Sequence, residues 1–270
     1  MTQQERLAFL IKHLIAENTE YPQLEIPDSI PRQKQMLRSL MNIRLPKPIS
    51  KEFLKVQDAY LKEELKDKGI VPLSELTAIS SGLYLWQGDI TTLQIDAIVN
   101  AANSAMLGCF VPCHGCIDNA IHSAAGIQLR SECYELMEKQ GEEEKTGTAK
   151  ITKAYNLPCR YVLHTVGPII QEALRKEEDC IQLASCYRSC LELAAAYHLK
   201  SIAFCCISTG EFHFPNETAA EIAINTVEKY RKESQSKMEV VFNVFKDTDR
   251  EIYQRLLKTN RTVSSVYFEN

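Results

Sequence analysis

Apolar positions in the first 70 residues recur at helical spacing. Leu7, Leu10, Ile11, Leu14 and Ile15 share one face of residues 2–17, which predicts an amphipathic helix. Pro22, Pro27 and Pro31 punctuate the next stretch and break any longer helix there. Ser50 suits an N-cap and Gly69 a C-terminal stop, so a second helix is expected over 51–68. From about Leu83 the rhythm changes to short apolar runs separated by helical patterns. Runs at 83–86, 97–99, 161–164, 202–206 and 240–244 predict strands buried on both faces, with helices at 116–125, 127–139, 180–197, 215–232 and 248–258. This alternation implies an α/β fold: a three-layer α/β/α sandwich around a mixed, mostly parallel sheet. The expected division is a helical extension over 1–75 and a main domain over 76–270. In such sheets the loops beyond the carboxyl ends of the strands carry the chemistry.

Composition narrows the function classes. With 45% hydrophobic and 24% charged residues the chain is an ordinary globular one. A net charge of −4 argues against a broad basic field for nucleic-acid phosphates. No apolar run is long enough for a membrane span, and residues 1–6 lack a secretory pattern, so a cytoplasmic chain with reduced thiols is expected. Ten cysteines are many for such a chain. Cys186 and Cys190, spaced i, i+4 on a predicted helix, and Cys205 and Cys206, in a predicted strand, read as small buried hydrophobes, as do Cys133, Cys159 and Cys180. Cys109, Cys113 and Cys116 are different, because they crowd around His114 within eight residues. Thiols and imidazole are preferred Zn²⁺ ligands. No second ligand pair follows at zinc-finger spacing, so the loop predicts three protein ligands drawn from these four residues, with one coordination position open.

Two further loops sit at predicted strand ends. Gly88-Asp89-Ile90-Thr91 follows the first strand, and Ile207-Ser208-Thr209-Gly210-Glu211-Phe212-His213-Phe214-Pro215 leads into a helix, where small residues and backbone N–H groups make an anion cradle. Asn100-Ala101-Ala102-Asn103 offers amides at a third strand end. Together with Asp96–Asn103, with Asp118 followed by 120–126, with His164-Thr165-Val166-Gly167-Pro168 and with Phe214–Glu217, these loops resemble, in sequence and order, the macrodomain family, over about residues 83–257.

The resemblance is to the hydrolase branch, which removes mono-ADP-ribose from proteins. It implies that Asp89 and Ile90 meet the adenine end and that Asn103 holds the distal ribose. It implies that Asp118 is the active-site carboxylate, Asn103 and Asp118 being the catalytic pair, and that Ser208, Thr209, Gly210, Glu211 and Phe212 form the diphosphate and distal-ribose loop. The family's usual run of glycines before that Asp is replaced by Cys109–Cys116, which resembles a zinc-containing bacterial and fungal subclass with an N-terminal extension. That pattern implies Cys109, His114 and Cys116 as ligands, with Cys113 left out. His213 stands where the family usually has glycine. The implied partners are ADP-ribose and a protein modified on an Asp or Glu side chain; neither nucleic acid nor a membrane is expected. Two other activities compete, a non-catalytic ADP-ribose reader with structural zinc and a deacetylase of O-acetyl-ADP-ribose. Asn103 and Asp118 argue against the reader, and sequence does not separate the deacetylase.

Overall fold

A computed structural model describes residues 1–17, 24–170 and 177–266, with side chains as far as residue 258. In chain order the elements are α1 (Gln3–Glu17), α2 (Ile30–Ile43), α3 (Lys51–Lys68), β1 (Val71–Pro72), β2 (Ala78–Ser80), β3 (Leu83–Gln87), β4 (Leu93–Gln94), β5 (Ala97–Ala102), α4 (Ile117–Ala125), α5 (Ile127–Gln140), β6 (Ala149–Lys153), β7 (Tyr161–Val166), α6 (Glu177–Ala196), β8 (Ser201–Phe204), α7 (Asn216–Ser234), β9 (Glu239–Val244) and α8 (Asp247–Val266).

The expected stripe of α1 is buried at Leu7, Leu10, Ile11 and Leu14. The Ser50 hydroxyl accepts from the Phe53 N–H at 3.1 Å and caps α3, and Gly69 ends it at φ 90°. The proline-rich stretch departs from expectation. Pro22 lies outside the described residues, but Pro31 opens α2 rather than breaking a helix, because a first-turn residue needs no intrahelical N–H partner. Leu37, Leu40 and Met41 then bury in one core with α1 and with Phe53, Val56 and Tyr60 of α3, and Ile127 at the start of α5 joins it.

The main sheet has the order β2-β3-β9-β8-β5-β7-β6 among the described residues. The five strands from β3 to β7 are parallel to their neighbours, and the edge strands β2 and β6 run antiparallel. Helices α4 and α5 pack on one face and α6, α7 and α8 on the other, giving the expected α/β/α sandwich. The strand expected over 202–206 is shorter: the chain leaves the sheet after Phe204, so Cys205 and Cys206 begin a loop. Neither edge strand was anticipated, since β2 is largely exposed and β6 buries only Thr152. The β1 segment pairs with β4 beside the main sheet. With five parallel strands, the loops after β3, β5, β7, β8 and β9 emerge along one edge.

Candidate active site

From the end of β3 to the end of β5 is three strand spacings, roughly 14 Å. At the β3 end, Asp89 accepts hydrogen bonds from the Thr91 N–H (3.0 Å) and hydroxyl (2.6 Å), and Lys68 of α3 pairs with it at 3.2 Å. Burial works to raise the Asp89 carboxyl, but the Thr91 bonds and the Lys68 charge outweigh it and hold the carboxyl below its ordinary value. Ile90 follows, buried, in a single 3₁₀ turn. Phe245, just past β9, is 76% exposed, and the neighbouring strand end delivers Gly88, whose N–H donates to the Val244 carbonyl at 3.1 Å. An exposed aromatic residue at the strand end next to the Gly88-Asp89 turn is a feature the hydrophobic pattern did not single out.

At the β5 end, the Asn103 side-chain N–H donates to the Gly108 carbonyl at 3.2 Å, and its buried Oδ1 has no partner among the described residues. Gly108 holds φ 79°, and a Cβ there would stand 2.8 Å from the His122 ring. The loop then brings Cys109, His114 and Cys116 together: one sulfur or nitrogen from each lies within 4.8 Å of the other two. Cys116 also ends the loop as the N-cap of α4, its sulfur accepting from the Asn119 N–H at 3.4 Å. Cys113 turns away, at φ 52°, to the Gln35 carbonyl (3.3 Å) and the Ser39 hydroxyl (3.2 Å) of α2.

These donors fit zinc. Three ligand atoms within 4.8 Å of one another are close enough to share one ion at bond lengths of about 2.0–2.3 Å, and two thiols with one imidazole are a known catalytic set. The buried Nδ1 of His114 has no hydrogen-bond partner among the described residues, and its Nε2 lies 3.6 Å from Glu211 Oε1. Burial, then the neighbouring Cys109 and Asp118, pushes the Cys116 thiol up to about 12. A second group, His122, Cys133 and His164, is fully buried, but both ring nitrogens of His164 are already engaged.

Asp118 sits in the first turn of α4, two residues past Cys116, and is 5% exposed. Burial raises its carboxyl to about 6 against the Asn100 hydrogen bond and the Arg130 charge. The Asn100 amide donates to Asp118 Oδ1 at 2.8 Å and to His164 Nδ1 at 3.1 Å. An amide N–H only donates, so Nδ1 accepts and the proton of neutral His164 sits on Nε2, 2.9 Å from the Thr152 hydroxyl. The result is a buried chain from Thr152 through His164 and Asn100 to Asp118, with His122 Nε2 3.5 Å from the same carboxylate. Asn100 and His164 are register partners on β5 and β7. Their roles were missed, although two polar residues inside apolar strands are a signal that could have found them.

The third loop lies beyond β8. Ser208 adopts φ 64° and His213 φ 55°, and the Phe214 N–H closes the turn on the Ser208 carbonyl at 2.9 Å. His213, standing where the resemblance leads one to expect glycine, thus takes the left-handed conformation glycine favours. Thr209 ties back to the Cys206 carbonyl through its hydroxyl at 3.0 Å, and the Phe212 carbonyl accepts from the Ile170 N–H at 2.9 Å. Gly210 and Glu211 lie at the exposed crest, where Glu211 meets His114. The loop thus abuts the Cys/His cluster, while Asp89 and Ile90 stand at the far end of the same sheet edge.

This sheet, with chemistry collected along one edge, is the architecture of a macrodomain. The macro domain family model matches residues 99–223, and the chain belongs to the macrodomain family. Over 261 residues it is 56% identical to a protein-ADP-ribose hydrolase of Treponema medium, covering 95% of this chain and 100% of that one. It is 48% identical to a protein-ADP-ribose hydrolase of Staphylococcus aureus strain MSSA476, over 92% and 94% of the two chains. The Trypanosoma brucei macrodomain in complex with ADP-ribose superposes with a TM-score of 0.64 at 30% identity, covering 86% of this chain and 97% of that one. No helix among the described residues is long and apolar enough to cross a membrane.

Proposed function

We propose that this chain is a zinc-dependent hydrolase that removes mono-ADP-ribose from Asp or Glu side chains of modified proteins. The observation that carries this reading is the meeting of Cys109, His114 and Cys116 immediately before Asp118, within reach of the 208–212 loop. The names of the long-range relatives support the activity. In this proposal residues 1–75 are the helical accessory and 76–270 the ADP-ribose-binding catalytic part. A reducing, cytosolic setting belongs to it, since the ligand thiols must stay free.

The substrate would lie along the sheet edge. Asp89 would take the adenine amino group with Ile90 beside it, and exposed Phe245 would offer a stacking face. Ser208, Thr209, Gly210, Glu211 and Phe212 would wrap the diphosphate and distal ribose at the N-terminal end of α7. Asn103, its Oδ1 without a partner, would accept from a distal-ribose hydroxyl. Cys109, His114 and Cys116 would hold zinc, which would supply Lewis-acid polarisation for cleavage of the ester-like linkage. Asp118 would orient the attacking water and take its proton; with Asn100 on Oδ1, Oδ2 is the oxygen that receives it. The His164 and Thr152 chain behind Asn100 would fix that amide, and so the carboxylate, in place.

His114→Ala is the test. The variant is expected to lose release of ADP-ribose from an Asp/Glu-modified protein by at least about 100-fold, while ADP-ribose binding, read by calorimetry, survives through the adenine and diphosphate contacts. Turnover by His114→Ala equal to that of the parent overturns the role assigned to the metal.

A further inference from the structure

Helix α2 carries two stripes. Leu37, Leu40 and Met41 face the helical core, and on the other side Gln35, Arg38, Ser39 and Asn42 repeat at i, i+3, i+4 and i+7. That second stripe lies against the Cys/His loop. The Arg38 guanidinium donates to the His114 carbonyl at 3.0 Å and to Asn119 Oδ1 at 2.7 and 3.1 Å. Asn119 in turn donates to the Val111 carbonyl at 2.9 Å. Asn42 accepts from the Cys113 N–H at 2.9 Å through Oδ1 and donates to the Ser123 hydroxyl at 3.0 Å. Arg130 of α5 completes the tie. Its guanidinium reaches the Met41 and Asn42 carbonyls at the end of α2 and, on the other side, the Leu107 carbonyl at 2.7 Å.

We infer that α2 is part of the metal site, with Arg38 as the residue that positions His114 and the loop around it for zinc. The inference rests on the zinc reading above and deepens it. A loop carrying ligands at 109, 114 and 116 loses conformational entropy when it closes on an ion. Backbone at 107, 111, 113 and 114 is held before any ion arrives, so that loss is already met by folding. Arg38 suits the task because its planar fork bonds two acceptors on different segments, the loop at His114 and α4 at Asn119. Cys113 becomes intelligible on the same ground: its N–H and sulfur both face α2, so it anchors the loop rather than joining the ligand set. The extension thus positions the metal loop through its second helix, and α1 and α3 share a core with that helix.

The full chain tests this. Metal-free parent, Arg38→Met, Arg38→Lys, Asn42→Ala and, as a control on an exposed position of α3, Lys55→Met are titrated with zinc against a chromophoric chelator. The cobalt-loaded forms are read for their visible ligand-field bands. Arg38→Met is expected to bind zinc about 10- to 100-fold more weakly, the usual effect of removing a group that orients a metal ligand, and to shift the cobalt bands. Arg38→Lys, which can reach one acceptor, recovers part of the affinity, and Lys55→Met matches the parent. If Arg38→Met fails to fold, Asn42→Ala carries the comparison, with a smaller loss of affinity expected. Zinc affinity and cobalt bands equal to the parent's in whichever of these two variants folds overturn the inference and leave the zinc reading standing. A parent that takes up no zinc overturns both.

Discussion

Gly167 follows β7 beneath the 207–210 turn, and a Cβ there would stand 2.0 Å from the Ser208 Oγ and 2.9 Å from Ile207 Cγ2. The turn is already held at a positive φ on Ser208, so it has little freedom to move aside. Gly167→Ala is therefore expected to destabilise the chain by about 1–3 kcal/mol and to weaken ADP-ribose binding. Denaturant unfolding and calorimetric titration read the two effects, and a variant unchanged in both would mean that the loop is not held as described. Residue types alone marked some of this scale. Thiols crowded around His114 marked a candidate metal site because few other roles put so many of them in one short loop, and three of the four side chains do come together. Arg38, Asn42 and Arg130 were not legible, since polar residues are ordinary in a helical sequence and the meaning of these three comes from partners 70 to 90 positions away.

Strands β5 and β7 set Asn100 beside His164 inside a largely apolar pair. Burial lowers His164 from 6.5 to about 3, and burial with neighbouring charge holds His122 well below its ordinary range. Between those values the unfolded chain binds protons that the folded chain refuses. The stability these two histidines contribute is then full above about pH 6.5 and is lost as pH drops toward 3, by up to ~1.4 kcal/mol per pH unit for each, while Asp118, raised to about 6, works in the opposite direction below that pH. Unfolding midpoints followed from about pH 7.5 to 5 are expected to decline more steeply in the parent than in His164→Asn; equal slopes would contradict the buried neutral state. The elements themselves were readable where periodicity was strong, as in α1, α3 and the central strands. Helix α2 was hidden because Pro31 reads as a breaker until its place in the first turn is known. Edge strands β2 and β6 were hidden because exposed faces leave no apolar run to detect.

Across the whole molecule, the parallel sheet gathers five loops on one edge, and the helical extension grips the loop that carries the thiols. The α/β/α class followed from the alternation of strand and helix patterns alone. The family followed from the order of the loops. What no local pattern could supply is how the extension docks, which depends on a shared core through Ile127 and on hydrogen bonds between segments far apart in sequence. The proposed reading requires zinc, held by Cys109, His114 and Cys116, for hydrolysis. Its most direct test strips the purified chain with a chelator and follows release of ADP-ribose from an Asp/Glu-modified protein before and after zinc is restored. Activity is expected to disappear with the metal and to return on adding about one equivalent of zinc per chain. Full turnover by the zinc-free protein would contradict the claim.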